Sequence, residues 1–248
     1  PDGTTSKRRG RGSRPATFDE AADRLTWLER FNIAFIKWSF SNRLADWICM
    51  QLQRVVGAGW IDLCTRNLRV VAGVERLPPI DDPRGFIVVS NHRSFFDMYV
   101  VNMLLYKYGF RRRFLFPVRS NFFYDRPLGF VVNGVMSFFS MYPPIFRDRQ
   151  RASLNQTAFN ELMLALRDGR SAGIHPEGTR KKDDDPYTFL PAQSGVGRAI
   201  HQARVAVLPV FVNGLGNDFL GQFVRNLRRK GPKVVVVFGA PIDFGDLL

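Results

Sequence analysis

The sequence predicts an α/β fold: a mixed, largely covered β-sheet flanked by helices, preceded by an N-terminal pair of amphipathic helices. Three observations carry this. From Asn67 onward, strand-like and helix-like segments alternate, the pattern of a sheet with helices packed on it. Val205–Val212 and Lys233–Phe238 are β-branched runs, as expected of strands buried on both faces. Residues 17–66 instead repeat apolar residues at helical spacing. The expected organisation is a flexible basic tail over 1–16, Trp-rich helices over 17–66 and an α/β domain over 67–248.

Taken in order, residues 1–16 are polar and basic with no apolar core segment. They read as a solvated linker or as a lure for anionic lipid, not as a signal peptide. All four tryptophans, Trp27, Trp38, Trp47 and Trp60, lie in the next fifty residues. Trp27, Phe31, Phe35 and Trp38 share one helical face, and Leu44, Trp47, Ile48, Leu52 and Val55 share a second. Such stripes either pack on a core or lie in a membrane interface with Lys and Arg beside them. Strands are expected at Leu68–Val74, Phe86–Ser90, Phe114–Val118, Met141–Phe146, Ala172–His175, Val205–Val212 and Lys233–Phe238. Helices are expected at Phe95–Tyr108, Ala152–Leu166 and Gly195–Ala203. Pro127 to Phe146 is uncharged and long enough to span a bilayer. Gly129, Asn133, Gly134 and the Pro143-Pro144 pair interrupt it, so it reads as a buried helix end, a turn and a strand. "KKDDD" (Lys181–Asp185) reads as a solvated charged loop.

The net charge of +14 favours anionic partners: nucleic acid, an acidic membrane surface, or phosphorylated substrates. No nucleic-acid motif accompanies it. Two cysteines at non-metal spacing, Cys49 and Cys64, imply no disulfide framework and a reducing compartment. The 23 phenylalanines suit a large aromatic core or a pocket for an apolar chain.

Chemistry gathers in three stretches. "NHRSFFD" (Asn91–Asp97) follows the apolar run at Phe86. In a continuous helix His92 and Asp97 would point about 140° apart. They can meet if His92 sits in the turn after a strand and Asp97 in the first helical turn. Asp97 would then fix the imidazole tautomer, and His92 could take a proton from a hydroxyl. Ser94 to Asp97 equally fits a capping box, in which Asp97 only caps the helix. "HPEGTR" (His175–Arg180) puts an acceptor, a hydroxyl and a fork-shaped donor in one turn beyond a strand, suited to a phosphate or polar headgroup. Between them, Arg147, Arg149 and Arg151 would share one face if the strand continued, forming an anion clamp; otherwise they begin a helix. A metallohydrolase built from His92, Asp97, His175 and Glu177 has no familiar ligand spacing. No Gly-x-Ser-x-Gly elbow supports a serine esterase. Arg225, Arg228, Arg229 and Lys230 form a basic cluster, either a solvated face or a contact for CoA phosphates or anionic lipid.

His92-x4-Asp97, an Arg after a strand, and Pro176-Glu-Gly-Thr-Arg180, in this order, resemble the glycerophospholipid acyltransferase family, in its lysophosphatidic-acid-acyltransferase-like group. The resemblance runs from about Val74 to Phe244, with Val205-Ala-Val-Leu-Pro209-Val similar to a later apolar block. It implies an O-acyltransferase that moves an acyl group from acyl-CoA or acyl-carrier protein to a lysolipid hydroxyl. His92 would be the general base and Asp97 its partner. Arg149, with Arg147 as the competing match, together with Glu177, Gly178, Thr179 and Arg180 would bind the acceptor. No metal or organic cofactor and no nucleic acid are expected. Peripheral attachment to the cytoplasmic face of an anionic membrane is expected. Two departures bear on the acceptor: His175 stands where an aromatic or aliphatic residue is usual, and Phe189–Gly195 lacks the lysine of many lysophosphatidate-specific members. A different lysophospholipid or an amino-acid-based lysolipid is the alternative acceptor.

Overall fold

The computed structural model describes residues 16–78, 83–183 and 185–245. The basic tail, apart from Ala16, lies outside the described residues.

Thr26 starts the first helix. Its hydroxyl accepts from the Glu29 amide while the Glu29 carboxylate accepts from the Thr26 amide, a complete capping box, and α1 runs Trp27–Ser41. Asn42 caps α2 (Arg43–Leu52) through the Ala45 amide. A π-helical turn, Gln53–Gly57, carries the chain into α3 (Ala58–Thr65). Then follow β1 (Arg69–Ala72), β2 (Phe86–Ser90), α4 (Asp97–Lys107), β3 (Phe114–Leu115), β4 (Val118–Arg119), the single turn α5 (Ser120–Phe123) and α6 (Pro127–Ser137). The chain continues through β5 (Pro144–Ile145), α7 (Leu154–Arg167), β6 (Ser171–Ile174), α8 (Ser194–Ala203), β7 (Ala206–Asn213), α9 (Phe219–Arg228) and β8 (Val234–Phe238).

Six strands form one sheet in the order β1-β8-β7-β2-β6-β3. The β7–β8 pair is antiparallel and the other pairs are parallel, so the sheet is mixed as expected. Both faces are covered. Along β2 the side chains alternate: Phe86 and Val88 join a core with α3 and α4, while Ile87 joins another with α1, α7 and α8. Truncating either fully buried Ile87 or Val88 removes packing worth about 1–5 kcal/mol.

Several expectations are corrected. The stretch Phe114–Val118 divides between two sheets, because β4 leaves the main sheet to pair with β5. The Pro127 segment is helix, turn and strand, but α6 is not a buried helix end: Leu128, Val131 and Val135 are exposed. Among the described residues no helix is long and apolar enough to cross a membrane. The strand before Arg147 ends at Ile145, and Arg149–Arg151 form a 3-10 turn. The three arginines therefore share no strand face. Lys181 is buried rather than solvated, held by Thr188 and Asp183.

The aromatic stripe of α1 faces outward, leaving Trp27, Phe31 and Trp38 exposed. The inner face carries Ile33 and Ile36 together with Glu29, Asn32 and Ser39. Trp47 of α2 is exposed as well, whereas Trp60 packs against Phe96, Tyr99 and Phe219.

Candidate active site

β7, β2 and β6 are parallel neighbours, so their carboxyl ends share one edge of the sheet, where open α/β sheets gather ligands. The three loops leaving those ends are residues 91–97, 175–181 and 214–218, and backbone and side-chain bonds knit them together. Asn91 extends the β2–β7 pairing with its amide: Nδ2 donates to the Val212 carbonyl and Oδ1 accepts from the Val212 amide, both at 2.8 Å. The His92 amide donates to Glu177 Oε1 at 2.9 Å, and the His92 carbonyl accepts from the Lys181 amide at 2.8 Å. Ser94 Oγ donates to the Gly216 carbonyl at 2.9 Å, and the Phe95 amide donates to Asn217 Oδ1 at 2.9 Å.

His92 and Asp97 do meet. His92 Nδ1 lies 3.3 Å from Asp97 Oδ2. The same oxygen accepts from the Arg93 and Ser94 amides, each at 2.7 Å. Asp97 thus caps the turn and holds the imidazole at once. Only half of a capping box forms, because the Ser94 hydroxyl accepts from Phe96 rather than Asp97. With Nδ1–H aimed at the carboxylate, the free lone pair of His92 is on Nε2. Asp97 is 1 % exposed and His92 21 % exposed, so the pair is buried at its back and open at its front. Desolvation drives both groups toward neutrality. It lowers the His92 pKa to about 4, with Arg180, Arg147 and Arg119 pushing the same way and Glu177 opposing. It raises the Asp97 pKa to about 6, against the charge of His175 and the two amides.

Arg119, Arg147 and Arg180 all act on His92. Arg147 reaches the Gly178 carbonyl at 2.6 Å, and Arg180 reaches Asn217 Oδ1 at 2.9 Å. Among the described residues none of the three pairs with a carboxylate, and the charge of Glu177 opposes theirs at His92. Arg149 is exposed, and its side chain makes no hydrogen bond or ion pair among the described residues. Arg151 is used elsewhere, forked onto the buried Glu29 at 2.8 and 2.7 Å.

The structure brings Glu177, Gly178 and Arg180 to the site in different capacities. Both carboxylate oxygens of Glu177 are taken, by the His92 amide and by the Leu190 amide at 3.1 Å, so Glu177 pins loops together. Gly178 has φ of +64°, the left-handed region that glycine enters without strain. Thr179 is exposed on the turn.

Sequence reasoning missed Arg119, Asn217 and the place of His175. The His175 ring stacks on His92 with centroids 3.9 Å apart and planes at 9°. Its Nδ1 lies 3.1 Å from the Ser90 carbonyl. Its departure from an aromatic or aliphatic residue at that position, and its grouping with His92 and Asp97 as a metal-ligand set, were the signals for it. His92, Asp97 and His175 each offer a ligand atom within 4.8 Å of the others. The two rings lie parallel, however, so their in-plane lone pairs run side by side rather than converging as a tetrahedral ion requires.

A mixed β-sheet thus carries a histidine–carboxylate pair at its strand ends, with Arg119, Arg147 and Arg180 beside it. A sequence model of the Acyltransferase family matches residues 69–213, more than half of the chain, and the chain belongs to that family. It is 30 % identical over 148 residues to the chloroplastic 1-acyl-sn-glycerol-3-phosphate acyltransferase LPAT1 of Arabidopsis thaliana, covering 59 % of this chain and 36 % of that protein. It is 28 % identical over 149 residues to the chloroplastic 1-acyl-sn-glycerol-3-phosphate acyltransferase BAT2 of Brassica napus, covering 59 % and 37 %. The match therefore spans little more than a third of the length of these curated relatives. The fold is like that of the 1-acyl-sn-glycerophosphate (LPA) acyltransferase PlsC of Thermotoga maritima, with a TM-score of 0.53 and 24 % identity, covering 86 % of this chain and 78 % of that one.

Proposed function

We propose that the protein transfers a fatty acyl group from an acyl thioester, acyl-CoA or acyl-carrier protein, to the free hydroxyl of lysophosphatidate. His92 Nε2 takes the hydroxyl proton as the oxygen attacks the thioester carbonyl, and Asp97 stabilises the imidazolium. When the C–S bond breaks, the departing thiolate recovers the proton from His92, so the base is regenerated. No metal or organic cofactor enters this chemistry.

The observation that carries the reading is the His92–Asp97 pair beside Arg119, Arg147 and Arg180 without carboxylate partners. A phosphate monoester on the acceptor would satisfy such a cluster. The relatives named as 1-acyl-sn-glycerol-3-phosphate acyltransferases support the same acceptor. The exposed stripes of α1 and α2, joined to α6 where Phe31 and Phe35 pack on Phe130, supply an apolar face for peripheral attachment to an anionic bilayer.

The test is acyl transfer from long-chain acyl-CoA or acyl-carrier protein to lysophosphatidate and to lysophospholipids with other headgroups, read by product mass. Phosphatidate as the main product, absent with His92→Ala, is the expected result. Product on another acceptor and not on lysophosphatidate would overturn the assignment of the headgroup. No product on any acceptor would overturn the reaction.

A further inference from the structure

The basic cluster near the C-terminus lies on and just beyond α9, a helix that packs Phe219 on the core but turns two polar side chains inward and three apolar ones outward. Gln222 and Asn226 of α9 are 4 % and 2 % exposed, while Leu220, Val224 and Leu227 are 76 %, 41 % and 65 % exposed. On a helical wheel the two sets fall on opposite sides, since four- and three-residue steps keep Leu220, Val224 and Leu227 together. The inward polar face has a structural reason. Helix α3 ends under α9 with unsatisfied carbonyls. Asn226 Nδ2 donates to the Leu63 carbonyl at 2.7 Å and Gln222 Nε2 to the Cys64 carbonyl at 3.5 Å. Asn67 completes the join through its amide to Asn226 Oδ1 at 2.8 Å. Nothing of that kind accounts for the outward leucines and valine.

We propose that the outer face of α9 is a second bilayer-docking surface, lying on anionic lipid beside the active site. Its apolar stripe is bordered by Arg228 and followed by Arg229 and Lys230, the composition of a helix lying in a membrane interface over negative headgroups, while Arg225 lies nearer the inner face and pairs with Asp218 at 3.5 Å. The position is consequential. The loop leading into α9 supplies the Gly216 and Asn217 contacts to Ser94, Phe95 and Arg180. Leu220 follows Asn217 by three residues. A bilayer under α9 would therefore begin at the rim of the site, where a lysolipid would enter without leaving the interface. The inference rests on the reading of the protein as an enzyme bound to a membrane surface.

The experiment places an environment-sensitive fluorophore on Leu227→Cys, and separately on Trp38→Cys in α1, in a Cys49→Ser background with buried Cys64 left in place. Each labelled chain is titrated with vesicles of phosphatidylcholine containing phosphatidylglycerol. A blue shift at both positions is expected. Leu220→Ser/Val224→Ser/Leu227→Ser, with unchanged circular dichroism, should weaken vesicle partitioning about tenfold or more. A shift at residue 38 with none at 227, or an unchanged affinity of the triple variant, would overturn the α9 surface and leave the membrane reading standing. No shift at either position, with no co-sedimentation, would remove the membrane reading itself. A shift at 227 that grows with protein concentration without vesicles would make α9 a face between two copies of the chain, and the proposal would be wrong.

Discussion

Asp97 performs two tasks with one oxygen, and the two separate on mutation. Asp97→Asn keeps an acceptor for the Arg93 and Ser94 amides but loses the charge that balances an imidazolium. Transfer should fall about 100-fold or more with the fold intact, and His92→Ala should fall at least as far. A protein with near-normal turnover after either change would exclude the pair from the chemistry. The titration is as direct. The His92 pKa is lowered to about 4 from 6.5, so the ring is neutral above that value and gains its charge only as pH falls through it. In nuclear magnetic resonance of the three histidine rings, assigned by His175→Phe and His201→Gln, His92 should titrate well below 6.5. In Arg147→Ala its pKa should move upward, because removing a cation eases protonation; titration at or above 6.5 in the unmutated protein would contradict the burial argument. Headgroup contact distinguishes the arginines. Arg147→Ala should raise KM for lysophosphatidate about 10- to 100-fold, the worth of a charge-assisted hydrogen bond, and Arg149→Ala should change it little. The opposite ranking would return the role to Arg149.

At the scale of elements, legibility followed how local the cause was. β2, α4, α7, β6, α8, β7 and β8 were readable because apolar period and turn residues decide them within one window, and the His92 and Glu177 turns were readable because they follow strands. α9 was not, because two of its polar side chains are buried: Gln222 and Asn226 turn inward for carbonyls of α3, a partner over 150 residues away in sequence. Where the arginines point was not legible for the same reason. Arg151 finds its carboxylate on α1, and Arg119 reaches the site only because β4 leaves the main sheet. Arg113 shows the cost of such long-range joins. Fully buried, it donates to the Ser39, Phe138 and Phe139 carbonyls and to Ser140 Oγ, and it lies over the Phe40 ring at 3.8 Å, tying α1 to the end of α6. Arg113→Met would leave those acceptors and Asp46 short of a donor. A loss of about 3 kcal/mol or more and of about 10 °C in Tm is expected by thermal denaturation. A shift within about 1 °C would mean that the join carries little stability.

For the whole molecule the question is which force would hold it to a membrane, because it carries both a +14 charge and exposed aromatic rings. The two respond differently to salt. Raising ionic strength from about 0.1 M to about 1 M shortens the screening length from about 10 Å to about 3 Å, which removes most attraction between Lys or Arg and anionic headgroups. Apolar burial is not weakened by that change. If charge alone acted, vesicle co-sedimentation would vanish at high salt and Trp38→Ser/Trp47→Ser would bind like the parent at low salt. If the rings of α1 and α2 insert, part of the binding survives high salt in the parent and is lost in the double variant, each ring contributing about 1.5–3 kcal/mol when buried. The second outcome is expected, since Trp38 is exposed beside Phe35 on the face where α1 meets α6 and Trp47 is exposed on α2. Charge would then act mainly on approach and orientation. The rings would hold the chain, with the arginine cluster at the site left free to take the phosphate of the acceptor.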